Sequence, residues 1–202
     1  MNHEMGKTSK LLAKASFAGT AASTMVSPIY YLLAAKFGGG VLDAGLGYGI
    51  LSITTGAVVY VLGRSAWFET NARVMVFVGF ITSGLGELSY LVIHSTEQFF
   101  AAQILMGIGL GVLNPAWDAL YSDKEDGMSP VRKWCVWTSG VEIADGLAAL
   151  LGAALLKVWG FNALFCAMAA LNTVAVFLSF RIMKPILPEQ GGIDVQAKIK
   201  LG

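Results

Sequence analysis

Charged side chains are scarce in this sequence. Of its 202 residues only 13% are Asp, Glu, Lys or Arg, whereas an ordinary soluble domain carries roughly 25%. This composition excludes a water-soluble globular protein, because such a chain needs far more polar surface to cover its core. It also excludes intrinsic disorder, which requires low hydrophobicity and high net charge. The net charge of +1 provides no basic field, so we expect no nucleic-acid partner.

Cysteine and histidine are also rare, and this limits the possible chemistry. Cys135 and Cys166 lie in apolar stretches without a partner at metal-ligand spacing, so we expect small buried residues and predict no metal site. His3 and His94 lie at the N-terminus and between apolar segments, where neither can be the intramembrane base of a serine protease. No HExxH zinc motif occurs. The sequence therefore predicts that the protein is not an enzyme, and it calls for no cofactor.

Long apolar runs dominate what is present, since 55% of the residues are hydrophobic. Each run is long enough to cross a bilayer, which takes about 20 residues, and none alternates in polarity as membrane β-strands do. The sequence predicts a six-helix transmembrane domain over 11–183, preceded by a cytoplasmic segment 1–10 and followed by a flexible cytoplasmic tail 184–202. The predicted spans are 11–35, 44–62, 74–93, 99–121, 134–156 and 161–183.

The basic residues predict the orientation. With the N-terminus in the cytoplasm, twelve of the fourteen Lys and Arg residues fall on the cytoplasmic side and only Lys36 and Lys157 on the other. Such a bias follows the positive-inside rule. The first apolar run of about 25 residues exceeds the 7–15 residues of a signal-peptide core, so we expect an uncleaved helix. Both termini should lie in the cytoplasm, with the protein in the plasma (inner) membrane.

Two spacings indicate an internal repeat. Pro28 and Pro115 lie 87 residues apart in spans one and four, and Gly56 and Gly146 lie 90 residues apart in spans two and five. Because the first three-helix unit starts inside and the second starts outside, the two units are inverted, as in many secondary transporters. Gly107 and Gly111 form a GxxxG spacing, so one face of span four should pack closely on another helix.

Few acidic residues fall within the spans, and three of them are candidates for ion coupling. Glu87 lies in span three, whereas Glu142 and Asp145 lie on one face of span five. No Lys, Arg or His lies in the central part of any span to pair with them. An intramembrane carboxyl group without a cation suits proton or cation coupling. The alternative is a neutral acid bonded to a neighbouring helix, and for Glu87 the partner would be Gln103 or a backbone carbonyl.

Aromatic and amide residues near the two prolines are candidate cavity walls. Tyr30 and Tyr31 follow Pro28, while Asn114 precedes Pro115 and Trp117 follows it. A proline lacks the N–H that would bond the carbonyl one turn back, so it leaves a polar group free in the helix.

The segment 103–123, QILMGIGLGVLNPAWDALYSD, resembles helix four and the following loop of the major facilitator superfamily. The charged loop with Arg132, the glycine-rich span five and Trp159-Gly160-Phe161 at the start of span six continue the resemblance over nearly the whole chain. The resemblance implies that spans one and four line a central cavity and that spans two and five lie at the interface between two halves. On that basis, the cavity candidates are Tyr30, Tyr31, Asn114, Trp117 and Asp118. Glu142 and Asp145 would lie at the interface.

The chain departs from the family pattern in length and in three positions. Family members have about twelve helices in two halves, and this chain has one half, so the resemblance implies a parallel homodimer or a second six-helix half. Trp67 replaces the aspartate of the loop after span two, and Gln103 replaces an arginine of span four. Gly152 is followed by Ala153 where antiporters have proline. These changes weigh against the family's usual proton coupling and gating latch.

The sequence thus predicts an all-α membrane protein of two inverted three-helix repeats, resembling one half of a major facilitator transporter. Its predicted function is to move a small solute as a half-unit of a dimer. One alternative is a structural, non-transporting membrane subunit, in which spans one and four would pack shut. The other is a substrate-binding component of an energy-coupling uptake system, in which a pocket would close within one monomer.

Overall fold

The computed structural model describes residues 6–122 and 129–183, and over these residues the chain is helical, with no strands. Residues 1–5, residues 123–128 and the predicted tail 184–202 lie outside the described residues. Short 3₁₀ turns at Ser27–Ile29 and Ser89–Leu91 supplement the α-helices. The α-helices are α1 (Lys7–Thr24), α2 (Tyr30–Lys36), α3 (Val41–Leu62), α4 (Ala66–Thr70), α5 (Ala72–Leu88), α6 (Thr96–Tyr121) and α7 (Pro130–Met183).

Four of these helical segments are long and apolar enough to cross a membrane: Val41–Leu62, Ala72–Leu91, Thr96–Tyr121 and Pro130–Met183. They cover predicted spans two, three and four, and both predicted spans five and six fall within α7. The chain is therefore an all-helical protein with membrane-spanning segments. The count of six crossings stays a prediction.

The two prolines that prompted the repeat hypothesis have different effects. Pro28 lies in the 3₁₀ turn that separates α1 from α2, so predicted span one is interrupted there. Pro115 lies inside α6, which continues to Tyr121. A proline removes one helical hydrogen bond in both places. Because α6 packs against α3 and α5, neighbouring helices support its helix past the proline.

Gly160 divides α7 into two arms, 130–159 and 161–183. Its φ of 78° and ψ of −174° are non-helical, and a φ in this range is favourable for glycine, which has no Cβ. The sequence placed the boundary between spans five and six at this Trp-Gly-Phe segment, and the break falls there.

Helix α6 is held between α3 and α5 through glycines. A Cβ added at Gly107 would lie 2.7 Å from the carbonyl oxygen of Leu51, and one at Gly111 would lie 2.6 Å from Cβ of Val58. The Thr55 hydroxyl donates a hydrogen bond to the Gly107 carbonyl at 3.2 Å. The GxxxG prediction is thus confirmed, and α3 is the helix that packs on that face.

Helix α6 also packs closely against α5. A Cβ at Gly79 of α5 would lie 2.6 Å from Cβ of Leu113 and 2.8 Å from its Cα. Gly109 of α6 lies directly against the backbone of Ser83, and Gly86 of α5 lies against Met106. These three contacts run in opposite directions along the two helices, so α5 and α6 are antiparallel and in close contact over most of their lengths.

Two clusters of buried apolar side chains lie toward opposite ends of α6. One contains Phe99 and Met106 with Leu33, Tyr90 and other residues. The other contains Leu113, Trp117 and Tyr121 near the C-terminal end, together with residues of α1, α5 and α7. The apolar core is therefore divided into two parts along the bundle axis. Polar side chains can lie between and beside these two clusters.

The outer surface is largely apolar, as expected for a protein in lipid. Helix α3 has a single buried residue, Gly47, and Ile53, Tyr60 and many other large apolar side chains are exposed. Cys135 and Cys166 are also exposed, so the expectation that both are buried is wrong. A membrane protein places apolar residues on its lipid-facing surface as well as in its core, so an apolar setting in the sequence does not imply burial.

We expect Gly79→Ala to destabilise the protein by about 1–3 kcal/mol, because the new methyl group meets Leu113 backbone atoms that have no room to move. The matched control is Gly56→Ala in α3, where no atom lies within 4 Å of the added Cβ. That change should be neutral or slightly stabilising, because Ala favours helix over Gly. Thermal unfolding in detergent measures both, and equal midpoints for the two variants would contradict the proposed role of Gly79.

Candidate functional site

A cavity of about 320 Å³ lies inside the bundle, between α1, α5, α6 and both arms of α7. Most of the polar groups in its wall come from three helices. Helix α1 contributes Ser16, Thr20 and Ser23; α5 contributes Ser83 and Glu87; and α6 contributes Asn114 and Asp118. Asn172 and Trp137 come from the two arms of α7, and the remaining wall is mainly apolar or aromatic.

The polar wall residues share a spacing. Within α1, α5 and α6 they recur at intervals of three or four residues, so each helix presents one polar stripe along its length. Elsewhere these helices carry apolar residues toward their neighbours. Three polar stripes thus converge on one space in an otherwise apolar bundle.

The hydroxyl groups of the wall donate to their own helices. Thr20 Oγ1 donates to the carbonyl of Ser16 at 2.9 Å, Ser23 Oγ to that of Thr20 at 3.0 Å, and Ser83 Oγ to that of Gly79 at 2.9 Å. A hydroxyl has one proton and two lone pairs, so each oxygen retains capacity to accept. The wall hydroxyls are therefore mainly acceptors.

Glu87 and Asn172 form a buried pair across α5 and the second arm of α7. The Asn172 side-chain amide donates a hydrogen bond to the Glu87 carboxylate, and both residues are almost fully buried. The sequence offered Gln103 or a backbone carbonyl as the partner of Glu87, and the partner is Asn172 instead. Gln103 Nε2 donates to the Tyr90 hydroxyl at 2.7 Å, so it lies beside the cluster that contains Tyr90 and Phe99.

The two acids of the wall lie near opposite ends of the cavity. Gly86, next to Glu87, contacts Met106 of α6, and Asp118 lies twelve residues further along that helix. At 1.5 Å per residue, the two carboxylates are separated by about 18 Å along the bundle axis. Asn114 and Asp118 are exposed whereas Glu87 is buried, so the cavity reaches the surface at the Asp118 end.

Four aromatic rings surround the Asp118 end. Trp117 stacks on Tyr121 with ring centroids 4.6 Å apart, and its centroid lies 4.8 Å from that of Trp137. Trp134 packs edge-on against Trp137 at 5.5 Å. Trp117 Nε1 donates to the carbonyl of Leu12 at 3.4 Å, which fixes its ring between α1 and α7. Of these four rings, those of Trp117 and Trp137 line the cavity.

Three of the five predicted cavity residues lie together in the structure. Asn114, Trp117 and Asp118 line the cavity, but Tyr30 and Tyr31 do not. The Tyr30 ring packs against Tyr48 and Phe99, with centroids 6.4 and 5.9 Å away, and Tyr31 is 51% exposed. The turn at Pro28 carries both tyrosines away from the polar stripe of α1.

The three predicted ion-coupling residues also lie in different parts of the structure. Glu87 is in the cavity wall, whereas Glu142 and Asp145 lie on the first arm of α7, outside it. Glu142 is exposed. Asp145 is half-buried, and its Oδ1 is buried without a hydrogen-bond partner among the described residues. Sequence spacing puts these two acids on one face of span five, but only the packing of α7 decides that this face points away from the cavity.

Several wall residues were not singled out from the sequence. Ser16, Thr20 and Ser23 follow the i, i+4, i+7 pattern of one helix face, and this spacing is a signal that could have identified them. Ser83 and Glu87 share the same four-residue spacing. Trp137 carries no such signal, because an aromatic residue in an apolar span is compatible with any face of the helix.

A family model described as Major Facilitator Superfamily matches residues 12–198. No curated protein matches the chain, and no solved structure matches it. The family match covers most of the sequence, so the chain belongs to the Major Facilitator Superfamily. Its length is about half that usual for the family. It is accordingly an integral membrane protein of transporter type, and members of this family are transporters and not enzymes.

We expect Asn172→Ala to lower the free energy of unfolding by about 1–3 kcal/mol, because it leaves the buried Glu87 carboxyl group without its donor. Asn162→Ala is the matched control, since Asn162 is an exposed residue of the same arm. A thermal-stability double-mutant cycle with Glu87→Ala should give a coupling of about 0.5–2 kcal/mol. Additive effects of the two substitutions would show that the pair contributes nothing.

Proposed function

We propose that this protein moves a small solute across the membrane and that the cavity between α1, α5, α6 and α7 is its substrate site. The observation that carries the proposal is the convergence of three polar stripes on one cavity. Polar groups inside a membrane protein are costly unless they have partners or line a water-filled space. A membrane protein with a purely structural role does not require such a group of polar side chains in its interior.

The acids of the wall take different roles in this proposal. Asp118, at the exposed end, is the substrate contact, with Asn114 and Trp117 beside it. Glu87, buried and held by Asn172, is the ion-coupling candidate, because a carboxyl group at this depth changes its charge only when a proton or cation reaches it.

The proposed topology has six crossings in two inverted three-helix repeats, with both termini in the cytoplasm. The break at Gly160 supports two crossings in α7, and the segment from α1 to α2 has the length of one further crossing. Gly56 and Gly146, the two glycines of the repeat spacing, both lie in open space on the outer surface. Equivalent exposure of these glycines is what a repeat in the fold would produce.

The outer face of α7 supports the half-unit dimer. Glu142 is exposed on a membrane-spanning arm, and an isolated charge facing hydrocarbon costs about 3 kcal/mol. Gly146 lies one turn further along with open space around it, so a second helix can approach closely. A second copy of this chain, or a separate six-helix half, would cover the acid and restore the length usual for the family.

A second candidate function is that of a substrate-binding component of an uptake system. The observation in its favour is that the residues of one chain suffice to form a cavity of about 320 Å³ with polar groups in its wall. In that case the isolated protein would bind its substrate without moving it across the membrane. Transport by the purified protein distinguishes the two functions.

Uptake into proteoliposomes tests the proposed function. With a panel of radiolabelled small solutes that includes positive, neutral and negative members, we expect at least one to accumulate saturably above the level of protein-free vesicles. Asp118→Asn should reduce its initial uptake rate about tenfold, because a charge-assisted contact is worth about 1.5–3 kcal/mol. Glu97→Gln, which removes an exposed acid of the same helix outside the cavity, should leave the rate unchanged. Binding without uptake of any solute would favour the second candidate.

We expect Gly146→Trp to abolish dimers, because an indole fills the space that a partner helix needs while meeting no atom within 4 Å at its Cβ in the monomer. Val174→Trp is the control, since Val174 is an exposed residue of the other α7 arm. Native mass spectrometry from nanodiscs should show the wild type and the control at twice 21.4 kDa and Gly146→Trp at 21.4 kDa. A wild-type protein that is monomeric at all concentrations would contradict the homodimer.

A further inference from the structure

We infer that the cavity takes a small organic monocation, a protonated amine or a quaternary ammonium compound, with Asp118 as its charge partner. This inference rests on the proposed function, because it names the substrate class of the same cavity. Three properties of the wall lead to it: its charge, the direction of its hydrogen bonds and the spacing of its two carboxylates.

The charge of the wall has one sign. Asp118 and Glu87 line the cavity, and no Lys, Arg or His is among the described residues that line it. An anionic solute would lose its hydration and meet two acids with no compensating cation. A cation entering at the exposed end meets the Asp118 carboxylate first.

The hydrogen-bonding groups of the wall favour the same class. The hydroxyl protons of Thr20, Ser23 and Ser83 are already donated to backbone carbonyls. The Asn172 amide donates to Glu87, and the Trp117 indole donates to Leu12. These donors are thus used within the protein, whereas hydroxyl and carboxylate oxygens remain as acceptors. Among the described wall residues, Trp137 Nε1 is a buried donor without a partner. An ammonium group supplies further donors, or positive charge, for the acceptor oxygens.

The spacing of the acids and the remaining wall favour an organic cation over a metal ion. A calcium ion requires six to eight oxygen ligands at about 2.3–2.6 Å, and the two carboxylates lie about 18 Å apart along the axis. No group of three metal-ligating side chains occurs within the described part of the chain. Phe80, Leu113 and the rings of Trp117 and Trp137 supply apolar and aromatic surface instead, which suits the carbon groups of an organic cation and attracts its charge.

The binding test compares two molecules that differ only in charge. Choline and 3,3-dimethylbutan-1-ol have the same shape, but a carbon atom replaces the charged nitrogen in the second. Equilibrium binding to the full-length protein in nanodiscs should show at least about a tenfold preference for choline, equivalent to one charge-assisted contact. Asp118→Asn should remove the preference, and Glu97→Gln on the same helix should retain it.

A second readout needs no bound ligand. In a Cys135→Ser, Cys166→Ala background, Thr20→Cys places one thiol in the cavity wall. Methanethiosulfonate reagents bearing a trimethylammonium or a sulfonate group react with that thiol, and since both attack the same thiolate, their rate ratio reports the charge of the surroundings. We expect the cationic reagent to react at least about tenfold faster, and Asp118→Asn to bring the ratio toward that of the free reagents with a small thiol.

The outcomes separate the inference from the proposed function. Choline preference together with cation-selective thiol labelling supports the inference. No preference for choline over its neutral isostere, or faster labelling by the sulfonate reagent, overturns it, while saturable uptake of a neutral or anionic solute would leave the transport proposal standing. Conversely, a cation-selective cavity in a protein that accumulates no solute in vesicles would overturn transport and leave the inference intact.

Discussion

Close contacts between α6 and its two neighbours, α3 and α5, hold this bundle together. In lipid, helices gain little from burying apolar side chains against one another, so association relies on close packing of small residues. Gly107 and Gly111 allow α3 to approach one side of α6 closely. Gly109, together with Gly79 of α5, allows α5 to approach the other side. The backbone of α6 is thereby fixed in position over most of its length. Its one proline lies within this supported region, and the helix continues past it.

The cavity exists because the close contacts of α6 are one-sided. Its glycine faces are occupied by α3 and α5, and the face bearing Asn114 and Asp118 is left toward α1 and α7. Apolar clusters pack toward both ends of α6, and the cavity lies along them with its exposed side near Asp118. Between them, serine and threonine side chains of α1 and α5 keep the space polar without adding bulk. The same packing that stabilises the bundle therefore determines where the cavity lies.

The acidic residues illustrate how position governs the role of a charged group. Glu87 and Asp118 share a cavity but differ in exposure, so one is held by an amide and the other is open to an incoming solute. Glu142 has the same chemistry and faces outward, where lipid is unfavourable and a protein partner is favourable. In the proposed function, acidic side chains thus take three roles within one chain: Glu87 is the ion-coupling group, Asp118 the substrate contact and Glu142 an interface residue.

The sequence was sufficient to predict the helical membrane class, the helix boundary at Gly160 and the close-packed glycine face of α6. These depend on local quantities: the length of apolar runs, the φ angle that glycine permits and the spacing of small residues on one helix. It also identified Asn114, Trp117 and Asp118, which lie next to one another on α6 and share the cavity. The packing of the helices was needed to show that Tyr30 and Tyr31 lie elsewhere, that Glu142 and Asp145 lie outside the cavity, and that Ser16, Thr20 and Asn172 complete the wall. The physical reason is the solvent. In a bilayer both the buried and the lipid-facing sides of a helix are apolar, so periodicity does not reveal which face is inward, and the rotation of each helix is set by its contacts with the others.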